Sequence, residues 1–124
     1  MKSAQDYLAE AHAVVPKLAT KDGIAKHGQD GVVFVDVRDS AAIAETGTIA
    51  GALRIPRGFI EFAADDATQF HNPKMDKEAE IILVCAAGGQ AALAGRTLVE
   101  MGYKNVSNVG GFGSWTEEGG PTEG

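Results

Sequence analysis

Two kinds of apolar pattern alternate along this chain. Uninterrupted apolar residues at Val32–Val35, within the predicted strand Val32–Val37, and at Ile81–Val84 predict strands covered on both faces, because a strand with one solvent-facing side would alternate. Shorter apolar runs at Val14–Leu18, Ala52–Ile55 and Val106–Val109 predict three further strands. The first of these short runs contains a proline, which cannot donate to a ladder, so we expect that strand at an edge of the sheet.

Residues with helical spacing fill most segments between these strands. The predicted helices are Ala4–Ala13, Thr20–Lys26, Ser40–Glu45, Gly58–Ala63, Ala91–Met101 and Phe112–Glu118. Short strands that alternate with helices are typical of parallel β-α units. The pattern therefore predicts an α/β fold with a central five-stranded parallel sheet and helices on both faces.

The composition limits the class of protein and its partners. The 124 residues suit one domain, and the apolar content of 44% is enough to build a core. A net charge of −6 argues against binding to nucleic acid or to an anionic membrane, since phosphate binding relies on a basic face. No apolar stretch approaches the roughly twenty residues of a membrane span, and the first residues lack the apolar stretch of a signal peptide. We therefore expect a cytoplasmic protein.

Cys85 is the single cysteine, and it stands where a predicted strand gives way to a helix. The residues after it, Ala86–Gln90, include two glycines and form a short loop whose N–H groups can turn toward the sulfur. The start of a helix also stabilises an anion. This position leaves two interpretations open, a nucleophilic sulfur beside an anionic ligand or a small buried apolar residue. A sulfur redox step would need another molecule, because the chain has no second cysteine.

Charged residues follow two other predicted strands. Asp36 and Arg38 come at the end of the first long strand, and Arg57 follows the short strand after it. Ligands of open α/β sheets bind beyond the carboxyl ends of the strands, so these groups would share an edge with Cys85. We expect Asp36 and Arg38 to form a structural ion-pair network with Glu45. Two interpretations of Arg57 stay open, a substrate-binding cation of the pocket or a surface charge.

A series of segments in this chain resembles the rhodanese family of single-domain sulfurtransferases. The matching segments are Asp36–Arg38, Glu45–Ala52 followed by Ile55-Pro56, Cys85–Ala91, Gly102–Val106, and Gly110–Phe112 with Trp115. The resemblance implies a three-layer rhodanese-like fold. Within it, residues 1–13 would be an N-terminal helical extension, residues 14–118 the rhodanese domain and residues 119–124 a flexible tail.

The resemblance also implies a reaction and its partners. Cys85 would take a sulfane sulfur from thiosulfate or a similar donor as a persulfide and pass it to cyanide or a thiol. The substrate-binding N–H groups would be those of Ala86, Ala87, Gly88, Gly89, Gln90 and Ala91. The implied partners are a small-molecule donor and a small-molecule acceptor or thiol protein, with no cofactor and no metal. We expect a monomer or a homodimer.

The chain departs from the family pattern in two respects. Thr48 stands where the family usually has a histidine, whose role we take to be structural. Many members carry an arginine directly after the cysteine or at the sixth loop position, where this chain has Ala86 and Gln90. The loop therefore adds no charge, and we expect weaker binding of a dianion such as thiosulfate.

Other functions fit the same cysteine loop to different degrees. The uncharged loop keeps open a persulfide carrier or sulfide-responsive binding module with little turnover. A cysteine phosphatase is disfavoured, because it needs an arginine after five intervening residues and Ala91 stands there. A purely structural module is disfavoured as well, because it would have no reason to retain the cysteine and the glycines.

Overall fold

The computed structural model describes all residues from 1 to 124. Its helices are α1 (Ala4–Val14), α2 (Thr20–Lys26), α3 (Ser40–Thr46), α4 (Ile60–Ala64), α5 (Gly89–Glu100) and α6 (Phe112–Glu117). Its strands are β1 (Val32–Asp36), β2 (Thr48–Ile49), β3 (Leu53–Arg54), β4 (Glu80–Cys85), β5 (Asn105–Gly111) and β6 (Thr122–Glu123). A 3-10 turn at Arg57–Phe59 leads into α4. None of the helices combines the length and apolar character that crossing a bilayer requires.

Four strands form the main sheet, in the order β3-β1-β4-β5 with every pair parallel. The predicted edge strand Val14–Leu18 is wrong as a strand, because only a single parallel bridge joins Lys17 to Asn108. At this bridge the Asn108 N–H donates to the Pro16 carbonyl, and the Leu18 N–H donates to the Asn108 carbonyl, both at 2.9 Å. The ladder cannot extend toward α1, because the next donor would be the proline nitrogen, which carries no hydrogen. The α/β class is confirmed, with four strands and one bridge in place of five strands.

Successive side chains of β4 enter two apolar cores on opposite faces of the sheet. Ile81, Leu83 and Cys85 belong to the core that α5 completes. Ile82 and Val84 belong to the core that α6 completes. All five residues are at most 1% exposed, which confirms the prediction that this strand is covered on both faces. The alternation places the Cys85 side chain on the α5 face.

The C-terminal segment has defined partners, although the sequence predicts a flexible tail there. Strand β6 pairs antiparallel with β2, so that Thr122 lies opposite Ile49. The indole N–H of Trp115 donates to the Pro121 carbonyl at 2.9 Å. The sequence pattern predicts neither β2 nor β6, because no apolar run marks Thr48–Ile49 or Thr122–Glu123. The boundaries of the three sequence regions stay a prediction.

Candidate active site

The Cys85 side chain lies at the carboxyl end of β4, directly before the loop that leads into α5. The residue is only 1% exposed. Its sulfur nevertheless has polar neighbours, because the N–H groups of Gly88 and Ala91 donate to Sγ at 3.0 and 3.3 Å. These donors and the N-terminal end of α5 stabilise negative charge on the sulfur.

Gly88 produces the turn that aims the loop at the sulfur. Its φ angle is +99°, in the left-handed region that L-residues with a side chain avoid. Of the two loop glycines, only Gly88 has this conformation, since Gly89 is already the first residue of α5. The left-handed backbone conformation at position 88 therefore explains why a glycine stands there.

The remaining loop N–H groups are free of protein acceptors. Those of Ala86, Ala87, Gly89 and Gln90 make no hydrogen bond within the chain. Three of these residues are exposed and Gly89 is half-buried, so a ligand could approach them. Successive free N–H groups beside a helix start are suited to bind an anion. That these residues bind substrate stays a prediction.

The side chain of Asn108, in β5, holds the loop in place, and the sequence pattern does not predict this role. Its Nδ2 donates to the Gly88 carbonyl at 2.9 Å, and its Oδ1 accepts from the Gly110 N–H at 2.8 Å. The residue is 4% exposed. A buried side-chain amide needs hydrogen-bond partners. An asparagine within a strand predicted to be buried is therefore the one sequence signal that could have pointed to this residue. The sequence does not say that one partner lies 20 residues earlier.

Gly111 allows the loop to approach β5 closely. A Cβ atom at this position would lie 2.5 Å from the carbonyl oxygen of Ala86, which is closer than packing allows. Gly111 also lies opposite Cys85 in the β4–β5 register. The second glycine of the Gly110-Gly111 pair therefore makes room for the first residue of the loop.

Asp36 and Arg38 form a buried ion pair at the same edge of the sheet. The Arg38 Nη2 lies 2.7 Å from the Asp36 Oδ2, and the two side chains are 6% and 0% exposed. Arg38 also donates to the Thr46 hydroxyl, and the Thr48 hydroxyl donates to Asp36. Glu45 does not take part, contrary to the expectation, because it is exposed and forms no salt bridge. Adjacent helical residues point about 100° apart, so contact by Thr46 turns Glu45 away.

The Arg57 guanidinium forms a salt bridge and a hydrogen bond with other side chains of the protein. Its Nη1 lies 3.2 Å from the Glu61 Oε1, and its Nη2 donates to the Thr97 hydroxyl at 3.1 Å. The side chain lines a groove between α1 and α5 that extends to Gly89. The structure thus brings Arg57 near the loop but gives it no hydrogen bond to Cys85 or the loop. Its role as a pocket cation stays a prediction.

Helix α1 forms a wall beside the loop. A Cβ atom on Gly89 would lie 3.6 Å from the Leu8 Cδ2, which is ordinary contact distance. Glu10 fixes the helix through a salt bridge to Arg96 of α5. The hydrogen bond from Lys2 holds the pKa of Glu10 below its usual value, and the interaction with Arg96 adds to this. The predicted N-terminal extension therefore contributes to the surroundings of the site.

The chain is similar to known proteins over most of its length. A family model described as a rhodanese-like domain matches residues 20–118. The thiosulfate sulfurtransferase GlpE of Haemophilus influenzae is 33% identical over 88 residues, which are 70% of this chain and 75% of that protein.

Solved structures show the same fold. A protein of unknown function from Rhodopseudomonas palustris, described as a possible tyrosine phosphatase, is 36% identical with a TM-score of 0.93, covering 99% of this chain and 96% of that one. The polysulfide-sulfur transferase homodimer of Wolinella succinogenes is 28% identical with a TM-score of 0.75, covering 94% of this chain and 83% of that one. The family model, the relatives and the cysteine loop lead to one conclusion: this chain belongs to the rhodanese-like domain family.

Proposed function

We propose that this protein is a sulfurtransferase that carries a sulfane sulfur on Cys85 as a persulfide. The observation that carries the proposal is the arrangement of loop N–H groups, with two donating to Sγ and four adjacent ones free. The first group stabilises the thiolate, and the second can hold a further sulfur atom or an oxyanion. Family membership and the similarity to GlpE support the same reaction.

The proposed reaction has two steps. In the first, the Cys85 thiolate attacks the outer sulfur of thiosulfate, the donor S–S bond breaks, and sulfite leaves with the electron pair. In the second, cyanide or a thiolate attacks the outer sulfur of the persulfide, and the electron pair of the broken S–S bond returns to Cys85. The first step starts from the Cys85 thiolate and the second step returns to it, so the N–H donors around Sγ stabilise the anionic sulfur at both of these points.

Intact-mass measurement tests the proposal directly. After incubation with thiosulfate, the wild-type chain should gain about 32 Da on Cys85, one sulfur atom, and one sulfite should appear per adduct. Cys85→Ser is the matched control, because it changes only the sulfur and should gain no mass. If the wild-type chain forms no adduct with thiosulfate or polysulfide, the proposal fails.

A persulfide carrier with little turnover is the second candidate function. Two observations favour it: Cys85 is 1% exposed, and the loop offers no cation of its own. A carrier would form the adduct but release thiocyanate slowly when cyanide is added. Steady-state thiocyanate production, compared with a single turnover of the preformed adduct, separates the two functions.

The description of one structural relative as a possible tyrosine phosphatase does not transfer to this site. Phosphate transfer at a cysteine loop needs an arginine that clamps the tetrahedral anion, at the position Ala91 occupies here. Ala91 is 0% exposed and belongs to the core that α5 completes, so a longer side chain has no space there. We expect no hydrolysis of an aryl phosphate.

A further inference from the structure

A cleft lies on the side of the loop that faces the Lys17 bridge, and its volume is about 770 Å³. It is bounded by His12 of α1, by Lys17, by the loop residues 87–89 and by residues 108–110 of β5. We call it the Lys17 cleft. It begins beside Gly88, whose N–H group donates to the Cys85 sulfur.

Two basic side chains of the Lys17 cleft have no acidic partner. Lys17 and His12 form no salt bridge, whereas the three basic side chains of the neighbouring groove between α1 and α5 are each paired with a glutamate. The free N–H groups of Ala87 and Gly89 border the cleft as well. In a chain with a net charge of −6, unpaired donors and a cation in one concave place indicate a site for an anion.

The backbone at Lys17 is held in register with the loop. Lys17 bridges to Asn108, and the side chain of Asn108 holds the Gly88 carbonyl at 2.9 Å. Asn108 thus contacts both the backbone around Lys17 and the turn of the loop at Gly88. The exposed lysine side chain therefore extends from a backbone position that is fixed relative to the loop.

The size and lining of the cleft indicate an organic ligand. A volume of about 770 Å³ lies within the range that holds drug-sized ligands, and it far exceeds what thiosulfate fills. Leu8, Leu18 and Val109 supply apolar surface beside the charged groups. This mixed lining fits a molecule with a carbon frame and an anionic end better than it fits an inorganic dianion.

We propose that the Lys17 cleft binds the anionic end of a small organic thiol that accepts sulfur from Cys85, which rests on the function proposed above. The acceptor thiolate attacks the outer sulfur of the Cys85 persulfide and forms a new S–S bond. The bond between Sγ and the outer sulfur breaks, and its electron pair remains on Sγ. The products are an organic persulfide and the Cys85 thiolate, so the step consumes no oxidant or reductant.

Three thiols on the same two-carbon frame test the cleft: anionic 2-mercaptoethanesulfonate, neutral 2-mercaptoethanol and cationic cysteamine. Lys17→Gln should raise the KM for the anionic thiol about five-fold, the size of one partly screened charge pair, and leave kcat unchanged. The neutral thiol should react with both proteins alike, and Lys17→Glu should shift the preference toward cysteamine. Lys21→Gln is the matched control, because it removes the same charge from an exposed residue of α2 outside the cleft.

Equal changes for all three thiols, or no change for the anionic one, would overturn the proposal. A separate measurement distinguishes this from failure of sulfur transfer itself. The unreactive thioether 2-(methylthio)ethanesulfonate should shift the amide NMR signals of residues 87–89 and 108–110 in the wild-type chain, and in Lys17→Gln the same shifts should need about five-fold more of the thioether. These shifts would support the cleft even if no Cys85 adduct forms, and their absence would overturn it even if one does.

Discussion

Two regions at the same edge of the sheet differ in whether their hydrogen-bond donors have acceptors within the protein. In the first, Asp36 and Arg38 are buried, and each donor nitrogen of the guanidinium has an acceptor within the protein. In the second, the loop after Cys85 leaves four N–H groups without an acceptor. The strands that carry them are neighbours, with Asp36 opposite Val84. The closed network leaves no guanidinium nitrogen without an acceptor, whereas the open loop leaves four N–H groups that a ligand could reach.

Asp36→Asn should disrupt the closed network and cause the largest loss of stability among these variants. It leaves the buried guanidinium of Arg38 without its counter-charge, which should lower the free energy of unfolding by about 3–5 kcal/mol in urea denaturation. Adduct formation per folded molecule should change little. Glu45→Gln is the matched control, since Glu45 lies outside the network, and it should stay within about 0.5 kcal/mol. A loss no greater than that of the control would contradict the assigned network.

Asn108→Ala should open the loop further. It removes one of the two hydrogen bonds to the Gly88 carbonyl, which also accepts from the Ala92 N–H, and it removes the side-chain acceptor of the Gly110 N–H. The change should cost about 1–3 kcal/mol of unfolding free energy. Persulfide formation should slow at least about ten-fold, because the Gly88 N–H is no longer held toward Sγ. Asn105→Ala, at an exposed position of the same strand, should change neither quantity. Unchanged kinetics in Asn108→Ala would show that the loop does not need this support.

Gly88→Ala should separate backbone strain from chemistry. A side chain at the left-handed φ of +99° should cost about 1–2 kcal/mol and displace the N–H group that faces the sulfur. Gly51→Ala is the matched control, because Gly51 has a φ of +79° and an added Cβ there would meet no other part of the protein within 4 Å. Both variants should lose similar stability, and only Gly88→Ala should lose persulfide formation. Equal activity in the two variants would contradict the role of the turn.

Arg57→Gln should have the smallest effect and sharpen the distinction between paired and unpaired cations. Its partners Glu61 and Thr97 already satisfy it, so the KM for thiosulfate should rise less than about three-fold. A measured rise above about ten-fold, worth roughly 1.4 kcal/mol, would instead identify Arg57 as the pocket cation that the sequence suggests.

The sequence predicted the parts of the fold that depend on neighbouring residues. The apolar runs at Val32–Val37 and Ile81–Val84 became β1 and β4 with shifts of one residue at their ends. Cys85 at a strand end, and the glycine turn after it, follow from the same local pattern. The helix after the loop begins at Gly89, two residues before the predicted start, because glycine is a weak helix signal.

The parts that depend on strand register could not be predicted. The β4–β5 register shifts between Leu83 and Val84, and this shift brings Gly111 opposite Cys85. The contact between Asn108 and the Gly88 carbonyl depends on that pairing, which no periodicity encodes. Arg38 donates to the neutral Thr46 and not to the anionic Glu45, because the position on the helix decides which of the two side chains faces the guanidinium.

The burial of the only thiol sets a size limit on its reagents. With 1% of Cys85 exposed, a bulky fluorescent maleimide should label the chain far more slowly than iodoacetamide does, and Gly88→Ala should narrow that gap. Two copies cannot easily be cross-linked through such sulfurs, because a disulfide brings them to about 2.05 Å. Steric shielding would then protect the thiol against dimerisation by air oxidation.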